Sequence, residues 1–210
     1  MAQDKLAEER IGYQEIQTYG TPRRITLMIK GLAEMQENVE EEVKGPAVKA
    51  AYDAEGQPTK AALGFAKGQG VAPEALFVKN VGNSEYVFAL KKIVGGQTAE
   101  VLPDLLPQLI LGIHFPKPMR WGDGDLRYAR PIRWIVALYG EDVVPFTLEN
   151  ICSGRLSRGH RFLGSQSITI NKPSQYLALL EEQYVIVDQK RRETMILEQI
   201  QTLAASVEGE

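Results

Sequence analysis

Met119 to Gly140 reads MRWGDGDLRYARPIRWIVALYG, and how this stretch folds decides the reading of the chain. Ile132 to Tyr139 is apolar at consecutive positions from Trp134 on, which predicts a central strand covered on both faces. Ahead of it, Gly122-Asp123-Gly124-Asp125 predicts a loop. Behind it, Gly140-Glu141-Asp142 predicts a turn into a second strand carrying Val144, Phe146 and Leu148. Pro145 has no N–H to give a ladder, so that strand belongs at a sheet edge or bulge.

Outward from this stretch, hairpins recur. Ile25, Leu27 and Ile29 alternate with Arg24, Thr26, Met28 and Lys30, the period of a half-buried strand. Ile16 and its neighbours supply the antiparallel partner across Gly20-Thr21-Pro22. Leu76–Val81 and Ser84–Val94 form a second hairpin around Gly82-Asn83, with Tyr86, Phe88 and Leu90 on one face. Val39 to Lys44 is a further, Glu-rich strand. Helices are predicted over 3–11, over 61–66 behind a Thr59 cap with Gly68 and Gly70 as the stop, and from Thr98 to about Leu111. In the last of these, Pro103 and Pro107 either kink the helix or push its start later. Pro173 starts a helix bearing Leu177 and Leu180, and Asp188 caps a final one. There Ile196, Ile200, Leu203 and Val207 fall on a single stripe. Hairpins interspersed with helices give an α+β class with mainly antiparallel or mixed sheets and flanking helices. The final stripe has no later partner in the chain, which suggests a piece of something longer.

The charge is distributed unevenly. The chain has 210 residues and a net charge of −3, so a wholly basic nucleic-acid coat is excluded. Yet seven of twelve arginines lie between positions 120 and 161, with His114 and His160 at or near that window. From His114 to Ser165 the local balance is eight Lys/Arg to five Asp/Glu. Guanidinium is a planar, permanently charged fork of donors that suits phosphate and carboxylate. Cys152 is alone, which excludes an internal disulfide or a Cys-based zinc site and fits a reducing cytosol. No apolar run is long enough to span a bilayer, and the start MAQDKLAEER lacks a signal-peptide core.

Most catalytic templates fail. Gly64, Gly68 and Gly70 match neither phosphate-cradling pattern, there is no nucleophile elbow, and two histidines 46 positions apart make no metal site. What remains is arginine. Arg120, Arg130 and Arg133 flank the predicted strand, either touching RNA phosphate or a partner carboxylate or pairing with Asp123, Asp125 and Glu141. Arg158, His160 and Arg161 form a second group. An extended backbone would put Arg158 and His160 on one face and Arg161 on the other. Arg23 and Arg24 are a smaller basic pair. Trp121 and Trp134 are read as core.

Four segments carry a family resemblance: TPRRITLMIKGLAE (Thr21–Glu34), EEEVKGPAVKAAYDAEGQPTKAALGFAKGQGV (Glu40–Val71), FPKPMRWGDGDLRYARPIRWIVALYG (Phe115–Gly140) and SRGHRFLG (Ser157–Gly164). In order and spacing they closely resemble the beta chains of bacterial glycyl-tRNA synthetases, across nearly the whole sequence. The resemblance implies an assembly of two alpha and two beta chains that attaches glycine to its tRNA. ATP and Mg²⁺ would be used by the alpha subunit, and this fragment would bind no cofactor of its own. It implies a cytoplasmic protein with the alpha subunit and tRNA(Gly) as partners and no membrane. It also implies an N-terminal piece, with 1–170 an α+β domain and 171–210 a helical segment leading into the remainder. The fold is expected to be layered, similar to the tRNA-binding, editing-type domain of the phenylalanyl-tRNA synthetase beta chain.

Gly122-Asp123-Gly124-Asp125-Leu126-Arg127 also resembles part of the class II synthetase ATP site, where a Gly-rich strand ends in Arg. Its aspartates would repel a triphosphate, and a strand rather than a helix follows, so it is read as a loop. Three functions stay open. One is a tRNA-binding or subunit-contact module using Arg120, Arg130, Arg158, His160, Arg161, Arg23 and Arg24. The second is a hydrolytic editing domain with polar groups such as His160 or Thr147. The third is a scaffold whose arginines are all paired internally.

Overall fold

The computed structural model describes residues 1–82 and 84–206. The chain opens with α1 (Ala2–Glu8), β1 (Glu15–Thr21) and β2 (Arg24–Lys30). It continues through β3 (Val39–Ala47), the single turn α2 (Val48–Ala51), α3 (Lys60–Gln69), β4 (Phe77–Val81), β5 (Ser84–Ile93) and α4 (Thr98–Leu111). Short strands follow: β6 (Met119–Arg120), β7 (Arg127–Tyr128), β8 (Ile135–Val136), β9 (Leu138–Tyr139) and β10 (Asp142–Val143). The last elements are β11 (Thr147–Leu148), β12 (Ile151–Gly154), β13 (Leu156–Ser157), β14 (Ile168–Thr169), α5 (Tyr176–Glu182) and α6 (Gln189–Ser206). The class is α+β, and among the described residues every strand pair is antiparallel except β8 with β12.

Two compact units share the chain: Met35–Gly96 forms one, and Met1–Glu34 together with the chain from Gln97 on forms the other. The boundary expected at 170 does not coincide with this partition, in which the residues after 170 stay with the larger unit. In that unit Leu102, Leu105 and Leu109 sit on one stripe of α4, against Leu6, Ile11, Ala137 and Val144. The spacing i, i+3, i+7 is that of a helix burying one face. Pro103 and Pro107 lie inside α4, which nevertheless starts at Thr98. A second cluster joins Ile168, Ile170, Leu180, Val185 and Val187, with Tyr19, Leu138 and Tyr176 packed on it.

Two expectations about strands are corrected here. The continuous buried strand over Ile132–Tyr139 is absent. β8 pairs with β12 and β9 with β10, and the exchange happens at Ala137, whose N–H goes to Gly154 O and whose carbonyl accepts from Val144. Of Ile132–Tyr139, Ala137 alone is buried; Trp134 is half-buried and Trp121 exposed, so neither indole is core. The second correction concerns β2. The hairpin forms as expected, though its turn is Pro22-Arg23 and not Gly20-Thr21-Pro22, since Gly20 and Thr21 pair with Ile25 and Arg24. Ile25 is 58% exposed while Arg24, Thr26 and Met28 are half-covered. The cover is specific. Thr26 Oγ1 lies 3.1 Å from Tyr176 Oη, and the Arg24 guanidinium carbon lies 5.4 Å from the Trp134 ring centroid.

In the smaller unit, β3-β5-β4 forms one antiparallel sheet. Val87 and Ala89 face a core of Ala51, Ala62, Ala66 and Leu76. The Glu-rich strand β3 is held by opposite charges across the ladder, Glu40 beside Lys92 and Glu41 beside Lys91. Thr59 occupies the N-cap position of α3, but its hydroxyl donates to Ala50 O instead of capping. Gly70 ends the helix in the left-handed conformation, φ +70°. Asn83 of the expected β4–β5 turn and Val207 of the final stripe lie outside the described residues. Asp188 does cap α6, accepting from the N–H groups of Lys190 and Arg191 at 2.9 and 3.2 Å.

The inverted face of β2 yields a direct check. Leu105→Ala removes a side chain that is 2% exposed and is expected to cost about 2–5 kcal/mol in urea unfolding. Ile25→Ser, in the same unit, is expected to stay within about 0.5 kcal/mol of the parent.

Candidate nucleic-acid interface

Six arginines converge on one cavity of about 430 Å³: Arg23, Arg24, Arg130, Arg133, Arg158 and Arg161, with Pro131, Trp134, Gly159 and Gln166 completing the wall. Three stretches of chain deliver them. The tight β1–β2 turn supplies Arg23, and β2 begins with Arg24. The segment between β7 and β8 supplies Arg130, Arg133 and Trp134. The turn after β13 supplies Arg158 and Arg161. Among the described residues no Asp or Glu lines the cavity, and none of the ion pairs involves any of the six.

Trp134 organises the floor. The guanidinium carbons of Arg24 and Arg158 stand 5.4 and 5.3 Å from its ring centroid, within the range in which the negative ring face attracts a cation. Arg24 Nη2 donates to the backbone carbonyl of Arg158, whereas Arg24 Nε is shielded from solvent with no hydrogen-bond partner. Burial pulls the Arg24 pKa below its ordinary value; nearby Tyr176 opposes the shift and Arg23 adds to it. Burial pushes the Tyr176 phenol up, while its bond to Thr26 and the Arg24 charge hold it back. Guanidinium starts so high that Arg24 stays charged. The cavity is therefore a set of permanent cations with donors to spare and no internal counter-charge, which is the chemistry of a polyanion site.

Five of the seven arginine and histidine candidates from the sequence meet here: Arg23, Arg24, Arg130, Arg158 and Arg161. Arg120 does not. It pairs with Asp125 at 2.9 Å and donates to Gly124 O at 3.2 Å, fastening its own loop. His160 also lies outside the lining; its Nδ1 accepts from the N–H groups of Phe162 and Leu163 at 3.3 and 3.2 Å. The backbone there is a turn and not a strand, which is why Arg158 and Arg161 reach one cavity despite opposite strand parity. Thr147 is exposed and pairs with Cys152 Sγ at 3.5 Å, away from the arginines. Arg133, left open between RNA contact and an internal pair, joins the site, and Trp134 joins it against the expectation of a core residue. Pro131, two residues upstream, was the available signal that no regular strand runs through them.

The Gly122–Arg127 loop is fastened by a carboxylate from outside it. Glu149 accepts from Leu126 N at 2.6 Å, and its carboxylate lies against Gly124, adding a third acid beside Asp123 and Asp125. Among the described residues no three His, Cys, Asp or Glu side chains converge as metal ligands, and no helix is long and apolar enough to cross a membrane.

Comparison with known proteins places these residues in a wider set. A family model described as "Glycyl-tRNA synthetase beta subunit" matches residues 1–210. The glycine–tRNA ligase beta subunit of Desulforamulus reducens is 53% identical over 204 residues, covering 97% of this chain and 29% of that protein. The corresponding subunit of Desulfitobacterium hafniense is 52% identical over 209 residues, covering 100% and 30%. That of Bacillus subtilis is 50% identical over 200 residues, covering 95% and 29%. The chain thus spans under a third of the length of these curated relatives.

Two substitutions separate loop-fastening from anion-binding side chains. Arg120→Gln is expected to cost less than about 1 kcal/mol of stability, as for an exposed ion pair, and to leave polyanion affinity unchanged. His160→Ala removes an acceptor shared by two N–H groups and is expected to cost about 1–2 kcal/mol. Thermal unfolding and a heparin-binding titration on both variants provide the readout.

Proposed function

Since the chain belongs to the glycyl-tRNA synthetase beta subunit family, we propose that it is the tRNA-holding part of a glycine–tRNA ligase and that its arginine cavity grips backbone phosphate. One observation carries this reading: six arginines share a cavity whose wall, among the described residues, holds no carboxylate. Phosphate oxygens take paired N–H donors from guanidinium groups, and electrostatic contact with RNA needs no base-specific geometry. In the same reading the assembly has two alpha and two beta chains and works in the cytoplasm on tRNA(Gly). In that reading ATP and Mg²⁺ are used at the alpha subunit, and the acids at the Gly122–Arg127 loop are compatible with it. The architecture is proposed to be related to the editing-type domain of the phenylalanyl-tRNA synthetase beta chain, without its hydrolytic chemistry. Neither His160 nor Thr147, the polar groups that such chemistry would have drawn on, lines the cavity.

Binding of tRNA should fall steeply with salt, because each neutralised phosphate releases counterions. Arg158→Ala/Arg161→Ala is expected to weaken binding at low salt by about tenfold or more and to reduce the salt slope by about 2. Anisotropy titrations across a salt series measure both. If the double variant binds tRNA with the parent's affinity and slope, the cavity is not the RNA site.

A further inference from the structure

The turn that brings Arg161 to the cavity also holds two apolar side chains out in water. Phe162 is 82% exposed and Leu163 65%. This exposure belongs to a built structure. Gly159 N donates to Ser165 O at 2.7 Å, Gly164 N to His160 O at 3.0 Å, and His160 N to Gln183 O at 2.9 Å. Ser165 N donates to Gln183 Oε1 at 2.7 Å, and Gln166 Nε2 to Arg161 O at 3.1 Å. A Cβ on Gly159 would come within 2.9 Å of Gln183 Cβ and Ser165 O; one on Gly164 would come within 2.5 Å of Gln183 O. Both glycines are therefore needed for the turn to close on the Gln183 segment. Within Gly159–Gly164 the side chains have separate places. His160 Nδ1 ties the turn, and Arg161 enters the cavity wall. Phe162 projects at the tip with one tilted ring contact to His160, centroids 6.2 Å apart, and its other face open to water.

A fixed turn with an uncovered aromatic beside a cluster of cations has the two parts of a single-strand nucleic-acid site: charge for the backbone and a ring for a base. We infer that the Arg161–Phe162 turn receives an unpaired nucleotide of RNA, its phosphate drawn to the arginine cavity and its base stacked on Phe162. This rests on the polyanion reading above. It narrows the substrate from RNA in general to RNA with a splayed end, bulge or loop, because bases in a duplex are stacked on each other and offer no face to a ring. A purely apolar protein surface is the poorer match, since docking on Phe162 would bring it against a rim of unpaired arginines.

The test compares two labelled hairpin RNAs, one blunt and one with a short unpaired 3′ tail carrying 2-aminopurine, titrated against the full chain. The parent is expected to favour the tailed RNA and to quench its 2-aminopurine. Phe162→Ala is expected to lower affinity for the tailed RNA roughly tenfold, to abolish the quenching and to leave the blunt RNA unchanged. Phe162→Trp is expected to restore both signals. Phe162 is at the surface, so thermal unfolding of each variant should match the parent. If Phe162→Ala binds both RNAs as the parent does, the inference is overturned. Should Arg158→Ala/Arg161→Ala still lose both RNAs in that case, the polyanion reading stands without it. If neither variant changes binding, both readings fall.

Discussion

Two guanidinium groups from distant parts of the chain lie over one indole, and the arginine cavity depends on that contact. Arg24 comes from the first hairpin and Arg158 from the turn after β13, and both stand within 5.5 Å of the Trp134 centroid. The attraction of a cation to the ring face offsets part of the repulsion between the two charges. The backbone carbonyl of Arg158 takes a further share by accepting from Arg24 Nη2. With the Thr26–Tyr176 bond beside it, this contact covers Arg24 and Thr26 at the start of β2, where Ile25 and Leu27 face outward. Ile29, further along the strand, still packs on the core, but at its start the strand half-covers Arg24 in preference to Ile25, because the arginine meets a ring and a carbonyl there.

That is where the sequence stopped being informative. Periodicity revealed that Arg24–Lys30 is a strand and that Ser84–Ile93 pairs with a neighbour, since alternation is a property of the segment itself. It could not say which face of β2 is covered, because the covering groups, Trp134 and Tyr176, lie more than a hundred positions away. The same limit broke the expected strand at Ile132–Tyr139. An unbroken apolar run cannot show that its residues change partners halfway, at Ala137, from β12 to β10. The site was partly legible for the same reason. Clustering of arginines along the chain marked Arg130, Arg133, Arg158 and Arg161 of the six cavity arginines, and the Arg23-Arg24 pair marked the other two. It also marked Arg120, whose counter-charge Asp125 lies five positions away and settles it locally. The family resemblance was the most legible feature of all, because it draws on the whole order of segments and needs no contact to be known.

The arginines of the cavity are unpaired by placement, not by shortage. The chain carries 27 acidic residues against 24 lysines and arginines, and elsewhere it spends them on cations: Glu15 on Lys30, Glu42 on Lys79, Glu40 on Lys92, Glu141 on Lys172. A fold selected for stability alone had carboxylates enough to neutralise this wall. Withholding them leaves six like charges around one cavity, a cost to the folded state that an anion entering the site reverses. Binding and stability are thereby coupled: whatever ligand occupies the cavity stabilises the native form by mass action, and each carboxylate placed there to help the empty fold would oppose the ligand by a comparable amount.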